Sequence, residues 1–205
     1  MKIVKDILYK VAIESVIGST EINIKKIEFD SRKISDNDVF VAIRGTVSDG
    51  YDFIESTIQK GATVIVCDTL PAIIEQGITY IKVKDTNAAL AFMASNYYDN
   101  PSTKLKLVGI TGTNGKTTIA SLLYQLFINA GNKVGLLSTV KIMVDSEQFK
   151  ATHTTPDSLT INYYLNQMVN SGVDYCFMEV SSHGIHQKRT EGLYFEGGVF
   201  TNLTH

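Results

Sequence analysis

The chain has 205 residues, room for one large or two small domains, with 44% hydrophobic residues, 20% charged residues and a net charge of −2. That balance gives no basic face for nucleic acid, so phosphate binding, if present, must be local. No apolar run reaches membrane-spanning length and Met1–Asp6 does not open a signal peptide, which points to a cytoplasmic protein with no membrane partner.

Residues 3–13 read as a short amphipathic helix with Ile3, Ile7, Leu8 and Val11 on one side. Lys26–Phe29 alternates as a strand and Asp30-Ser31-Arg32 ends it in a polar turn. Asp38–Ile43 is a second strand, followed by the glycine-bracketed loop Arg44–Gly50. Residues 51–60 read as a helix, with Gly61 where a C-cap belongs. Thr63–Cys67 and Thr79–Val83 are strands, and Thr86–Tyr98 is a helix opened by Asp85 or Thr86. Asn100-Pro101-Ser102-Thr103 then breaks the pattern and marks a domain boundary between residues 1–100 and 104–205. Cys67 and Cys176 each fall inside an apolar strand pattern and read as buried free thiols.

The second half is organised around one stretch. Leu105, Leu107, Val108 and Ile110 make a short apolar strand, and Ile119, Leu122, Leu123, Leu126 and Phe127 recur at helical spacing. Between them lies Gly112-Thr113-Asn114-Gly115-Lys116-Thr117-Thr118. Glycines let a backbone curl so that successive N–H groups face a phosphate, and the helix N-terminus adds partial positive charge. Lys116 supplies a full charge to outer phosphates and the Thr117 hydroxyl suits Mg²⁺. The strict phosphate-loop pattern wants glycine at position 110, which is Ile110, so this is a shortened form.

Further on, Lys133–Leu137 is a strand and residues 139–152 a hairpin around Asp145-Ser146-Glu147. Ser158–Ser171 is a helix, Tyr175–Met178 a strand running into Glu179, Ser182–Lys188 a short helix and Gly198–Asn202 a last strand. This alternation indicates a parallel sheet covered on both faces. Glu179, at a strand's carboxyl end beside a phosphate loop, is placed to hold Mg²⁺. His183 and His186 lack a third soft ligand and read as polar lining or surface. The chain stops at a sheet's functional end, as a piece of a longer protein would.

Several separate stretches together resemble one family, the Mur ligases. They are Gly112–Thr118, Thr154-Thr155-Pro156-Asp157, Met178–His183 and Phe200–His205, with Phe29–Arg32, Asp38–Ala42, Asp49–Ile54 and Gly61-Ala62 in the first half. The resemblance covers nearly the whole chain. It implies an α/β protein: a small N-terminal domain for a uridine nucleotide, then a truncated phosphate-loop ATPase domain with a parallel sheet. It implies ATP and Mg²⁺ as cofactors. It implies a UDP-N-acetylmuramoyl-dipeptide as substrate, onto which an amino acid is ligated through an acyl phosphate in peptidoglycan synthesis. By match to the family's motifs, residues 112–118 would hold ATP, Lys116 and Glu179 would be catalytic, and Thr117 and Glu179 would serve Mg²⁺. Phe29, Ser31 and the loop Thr46-Val47-Ser48 would hold the uridine end, although that loop departs from the family's His-Gln. Thr154, Thr155, Ser181, Gln187 and Arg189 would line the diphosphate and muramoyl part. The family's metal-binding His and its amino-acid site would fall beyond His205, so the resemblance implies a chain that does not ligate alone. Rival readings are a sibling ligase of the D-Ala-D-Ala-adding or folylpolyglutamate type, and a non-catalytic nucleotide-binding module.

Overall fold

The structure is a computed structural model that describes residues 1–45, 49–151 and 153–204. The chain divides into two compact units, Met1–Tyr97 and Tyr98–His205.

The first unit opens with β1 (Lys2–Ile3), α1 (Val4–Ile7), β2 (Ile13–Ile17), β3 (Asn23–Ile24), β4 (Ile27–Glu28) and β5 (Asp38–Val41). A 3₁₀ turn (Gly50–Phe53) runs into α2 (Ile54–Gln59), followed by β6 (Ala62–Cys67), β7 (Thr79–Val83) and α3 (Thr86–Tyr97). β1 and β3 form a small antiparallel pair, and the main sheet has the order β2-β7-β6-β5-β4. Strands β4 to β7 are mutually parallel. Val39, Phe40, Val41, Val64, Ile65, Val66, Tyr80 and Ile81 are all sealed from water, as central strands covered on both faces must be. Gly61, at φ +104°, ends α2, and a Cβ there would lie 2.2 Å from Asp36 Oδ1. Asp85 caps α3 by accepting the Ala88 N–H at 2.9 Å.

Two features of this unit differ from the sequence pattern. The helix expected over residues 3–13 is a single turn, Val4–Ile7, because Lys10 takes a left-handed φ of 62° and redirects the chain. The residues beyond it form β2, an edge strand antiparallel to β7 whose five residues are all exposed. With neither face buried, β2 carries no alternation for a sequence to display.

The second unit contains a 3₁₀ turn (Pro101–Thr103), β8 (Lys106–Thr111), α4 (Lys116–Asn129), β9 (Val134–Leu137), β10 (Lys141–Val144) and β11 (Glu147–Lys150). It continues through α5 (Ser158–Asn170), β12 (Tyr175–Glu179), α6 (Ser182–His186) and β13 (Gly197–Phe200). The sheet order is β11-β10-β9-β12-β8-β13, with β9, β12, β8 and β13 parallel and the β10–β11 hairpin antiparallel at one edge. Alternate residues of β12 feed opposite cores. Cys176 and Met178 pack with Ile161, Leu165 and Met168 of α5. Phe177 packs with Ala120 and Tyr124 of α4 and with Leu136. The close approach of α5 rests on Gly135, where a Cβ would lie 2.4 Å from Met168 Sδ. Asp157 caps α5 through the Thr160 N–H at 2.9 Å. Both cysteines are free and buried, and burial pushes the Cys67 thiol up to about 11 and Cys176 up as well.

Phe177 is 2% exposed and its ring stands edge-on to Phe127 at 5.1 Å between centroids. Phe177→Ala is expected to destabilise the second unit by about 3–5 kcal/mol, read as a lowered unfolding midpoint.

Candidate functional site

Register decides which strand ends meet. In the second unit Glu179 lies opposite Ile110, Met178 opposite Leu137 and Phe200 opposite Thr111. The carboxyl ends of β8, β9, β12 and β13 therefore converge, which is where ligands collect on an open parallel sheet. The cleft there, about 320 Å³, is lined by Thr113 to Thr118, Thr139, Thr154 and Glu179.

The turn between β8 and α4 depends on two glycines in left-handed conformation, Gly112 at φ +134° and Gly115 at φ +84°. Gly112 also meets the chain after β13, where an added Cβ would lie 2.1 Å from Thr201 Oγ1 and 2.8 Å from the Asn202 carbonyl oxygen. That chain laces the turn. The Thr113 N–H donates to the Asn202 carbonyl at 2.9 Å, and the Asn114 N–H to Asn202 Oδ1 at 3.1 Å. The Thr201 hydroxyl donates to the Asn114 carbonyl at 2.6 Å. The expectation that successive loop amides face a phosphate is thus modified. Those of Thr113 and Asn114 are engaged by Asn202. Those of Gly115, Lys116 and Thr117, at the start of α4, have no acceptor among the described residues, and α4 has no side-chain N-cap. These amides and the helix dipole suit an anion.

Lys116 folds back over its own loop, its Nζ donating to the Gly112 carbonyl at 2.7 Å and to the Thr113 carbonyl at 3.1 Å. Across the cleft, Glu179 is 1% exposed. Its Oε2 accepts from the Thr117 hydroxyl at 2.9 Å and the Thr139 hydroxyl at 3.2 Å, and its Oε1 from the Thr139 N–H at 2.8 Å. The loop and the strand-end acid named from the sequence therefore share one site.

The remaining candidates are distributed differently. Thr154 lines the cleft. Thr155 is buried behind it, donating to the Glu179 carbonyl at 3.0 Å and accepting the Ser181 N–H at 2.9 Å. The Ser181 hydroxyl caps α6 through the Gly184 N–H. The Arg189 guanidinium binds Gln187 Oε1, at 2.9 Å from Nε and 2.6 Å from Nη2, and also the Thr155 carbonyl, so both residues are engaged with protein. His183 and His186 are exposed, and the described residues contain no cluster of three metal-ligating side chains. In the first unit, Phe29 is partly exposed and the Ser31 carbonyl accepts from Lys60 Nζ at 2.8 Å. The hydrogen-bonded Arg32 beside them holds the Asp30 carboxyl down at about 2. Thr46, Val47 and Ser48 lie outside the described residues, as does His205.

The sequence alone assigns no role to Thr139, which lines the cleft, or to Asn202, which laces the adjoining loop. The signal for Thr139 was its place just after the buried run Val134–Leu137, at the carboxyl end of a parallel strand.

Residues 110–205 match the family model described as Mur ligase middle domain, and residues 23–98 the model described as Mur ligase family, catalytic domain. The chain belongs to the Mur ligase family. A relative from Cytophaga hutchinsonii, UDP-N-acetylmuramoyl-L-alanyl-D-glutamate--2,6-diaminopimelate ligase, is 53% identical over 203 residues, which are 98% of this chain and 42% of the relative. A solved structure of a ligase with that name matches at TM-score 0.80 and 22% identity, over 100% of this chain and 41% of that one. MurF ligase from Thermotoga maritima, solved in complex with ADP, matches at TM-score 0.56 and 23% identity, over 87% and 37% of the two chains. At such identities the two solved structures speak for the fold alone. This Mur ligase chain spans about two fifths of the length of the relative it matches.

Gly112 and Gly131 both have positive φ, but only Gly112 is hemmed in, with open space around Gly131. Gly131→Ala is expected to carry backbone strain of about 1 kcal/mol, and Gly112→Ala about 1–3 kcal/mol more through the collision with Thr201, measured as unfolding midpoints.

Proposed function

We propose that this chain forms the nucleotide-handling part of an ATP-dependent ligase. The ligase would join the third amino acid of the peptidoglycan stem, 2,6-diaminopimelate, to UDP-N-acetylmuramoyl-L-alanyl-D-glutamate. The names of the relatives supply the substrates. The observation that carries the reading is the 2.9 Å contact between the Thr117 hydroxyl and the buried Glu179 carboxylate, at the mouth of a loop whose helix-start amides are open.

In this reading the terminal carboxylate of the UDP-linked peptide attacks the γ-phosphorus of ATP, giving an acyl phosphate and ADP. The incoming amino group then displaces phosphate and the amide forms. The first step brings two anions together, and much of its barrier is electrostatic. The amides of Gly115, Lys116 and Thr117 hold phosphate oxygens. The Lys116 ammonium leaves the Gly112 and Thr113 carbonyls and meets the outer phosphates. Glu179 is a buried carboxylate with no cation in ion-pair range among the described residues, and Thr117 adds a hydroxyl oxygen beside it. That oxygen donor set fits Mg²⁺, which takes one or two protein ligands and keeps its waters. Held by these oxygens, Mg²⁺ would supply positive charge against the negative charge of the phosphates. Thr154, Thr155, Ser181, Gln187 and Arg189 serve the diphosphate and muramoyl part, which requires Arg189 to exchange its protein acceptors for substrate oxygens. In the first unit, Phe29, Ser31 and the backbone of residues 46–48 take the uridine end.

Calorimetry tests this directly. ATP with Mg²⁺ should bind, Lys116→Ala should weaken it about tenfold or more, and Glu179→Gln should abolish the benefit of Mg²⁺ over EDTA. The UDP-linked dipeptide should bind as well. Binding of ATP without it would favour a nucleotide-binding module instead. Given ATP, the UDP-linked dipeptide and diaminopimelate, the 205-residue chain alone is expected to release no ADP above the blank in a coupled assay; turnover would overturn that expectation.

A further inference from the structure

Glu179 is held from a direction that the nucleotide loop does not supply. β9 ends at Leu137, and the chain reverses at once into β10. The buried Ser138 locks that reversal: its hydroxyl donates to the Lys141 carbonyl at 2.8 Å and accepts the Lys141 N–H at 3.2 Å. The Ser138 N–H donates to the same carbonyl at 3.2 Å. A turn fixed in this way has little freedom to re-aim the residue it presents. That residue is Thr139, and both of its donors point to one carboxylate, the amide to Oε1 and the hydroxyl to Oε2. The amide on Oε1 and the hydroxyl on Oε2 together set the rotation of the carboxylate, with Oε2 also facing Thr117. A carboxylate this deeply buried is held in one orientation by such donors.

We propose that Thr139 is a positioning residue for Glu179. The locked turn after β9 sets the orientation in which the carboxylate and the Thr117 hydroxyl together present oxygens to a divalent cation. The inference rests on the reading of Glu179 as a cation-holding group. Because the Thr139 side chain is itself exposed, its replacement leaves the core intact.

The test is calorimetry of ATP on the 205-residue chain, in MgCl₂ and in EDTA, for wild type, Thr139→Val, Thr139→Ser and Glu179→Gln. Thr139→Val removes the hydroxyl and keeps the shape and the backbone amide. It is expected to weaken binding about tenfold in MgCl₂ while leaving the affinity in EDTA unchanged, and Thr139→Ser should recover most of the loss. A purely structural role for Thr139 would move both affinities together. If Thr139→Val matches wild type in MgCl₂ while Glu179→Gln has lost its Mg²⁺ dependence, the positioning role is wrong and the role of Glu179 stands. If Glu179→Gln keeps its Mg²⁺ dependence, the reading of Glu179 fails and the positioning role falls with it.

Discussion

A carboxylate taken almost wholly out of water must be met by donors, and the second unit is arranged so that it is. Glu179 ends a central strand, and its neighbours on both sides bring groups to it: β8 through Thr117 of the helix that follows, β9 through Thr139 of the turn that follows. Parallel pairing makes this possible, because it places the carboxyl ends of consecutive strand–helix units at one edge of the sheet. An antiparallel arrangement of the same neighbours would send both Thr117 and Thr139 to the far end of the sheet from Glu179. The alternation of Cys176, Phe177 and Met178 between two cores anchors β12, and so fixes where Glu179 emerges.

The loop between β8 and α4 answers to the same constraint from the other side. It has two kinds of amide. Those before Gly115 are tied to the chain after β13, and those after it open α4 towards the cleft. The first group gives the loop its shape, and the second gives it an anion-binding character. Lys116, resting on two carbonyls of the loop, adds a full positive charge to it. Positive groups thus collect on the loop side and the buried Glu179 faces them across the cleft, an arrangement suited to phosphates accompanied by a cation.

Much of this was legible in the sequence where the signal is local. A buried apolar run, two glycines, Lys-Thr and an amphipathic helix are contiguous, so the strand, loop and helix around Gly112–Thr118 could be read directly. Glu179 could be read because it terminates an apolar strand. Thr139 could not be assigned a partner, since its link to Glu179 spans 40 positions and exists only through the register of β9 against β12. The same holds for Asn202, whose role depends on β13 lying beside β8. In the first unit, β2 was missed because none of its residues is buried, and the helix drawn through residues 3–13 is cut short by a backbone conformation at Lys10 that no hydrophobic pattern announces. Arg189 shows another limit. A free guanidinium and one occupied by Gln187 and Thr155 look alike in a sequence.

The lacing of the loop by Thr201 and Asn202 turns two segments into a single mechanical part. Residues some ninety positions apart share carbonyls and amides in both directions, so neither can shift without dragging the other. The conformation of the loop and the path of the chain leaving β13 are therefore set together.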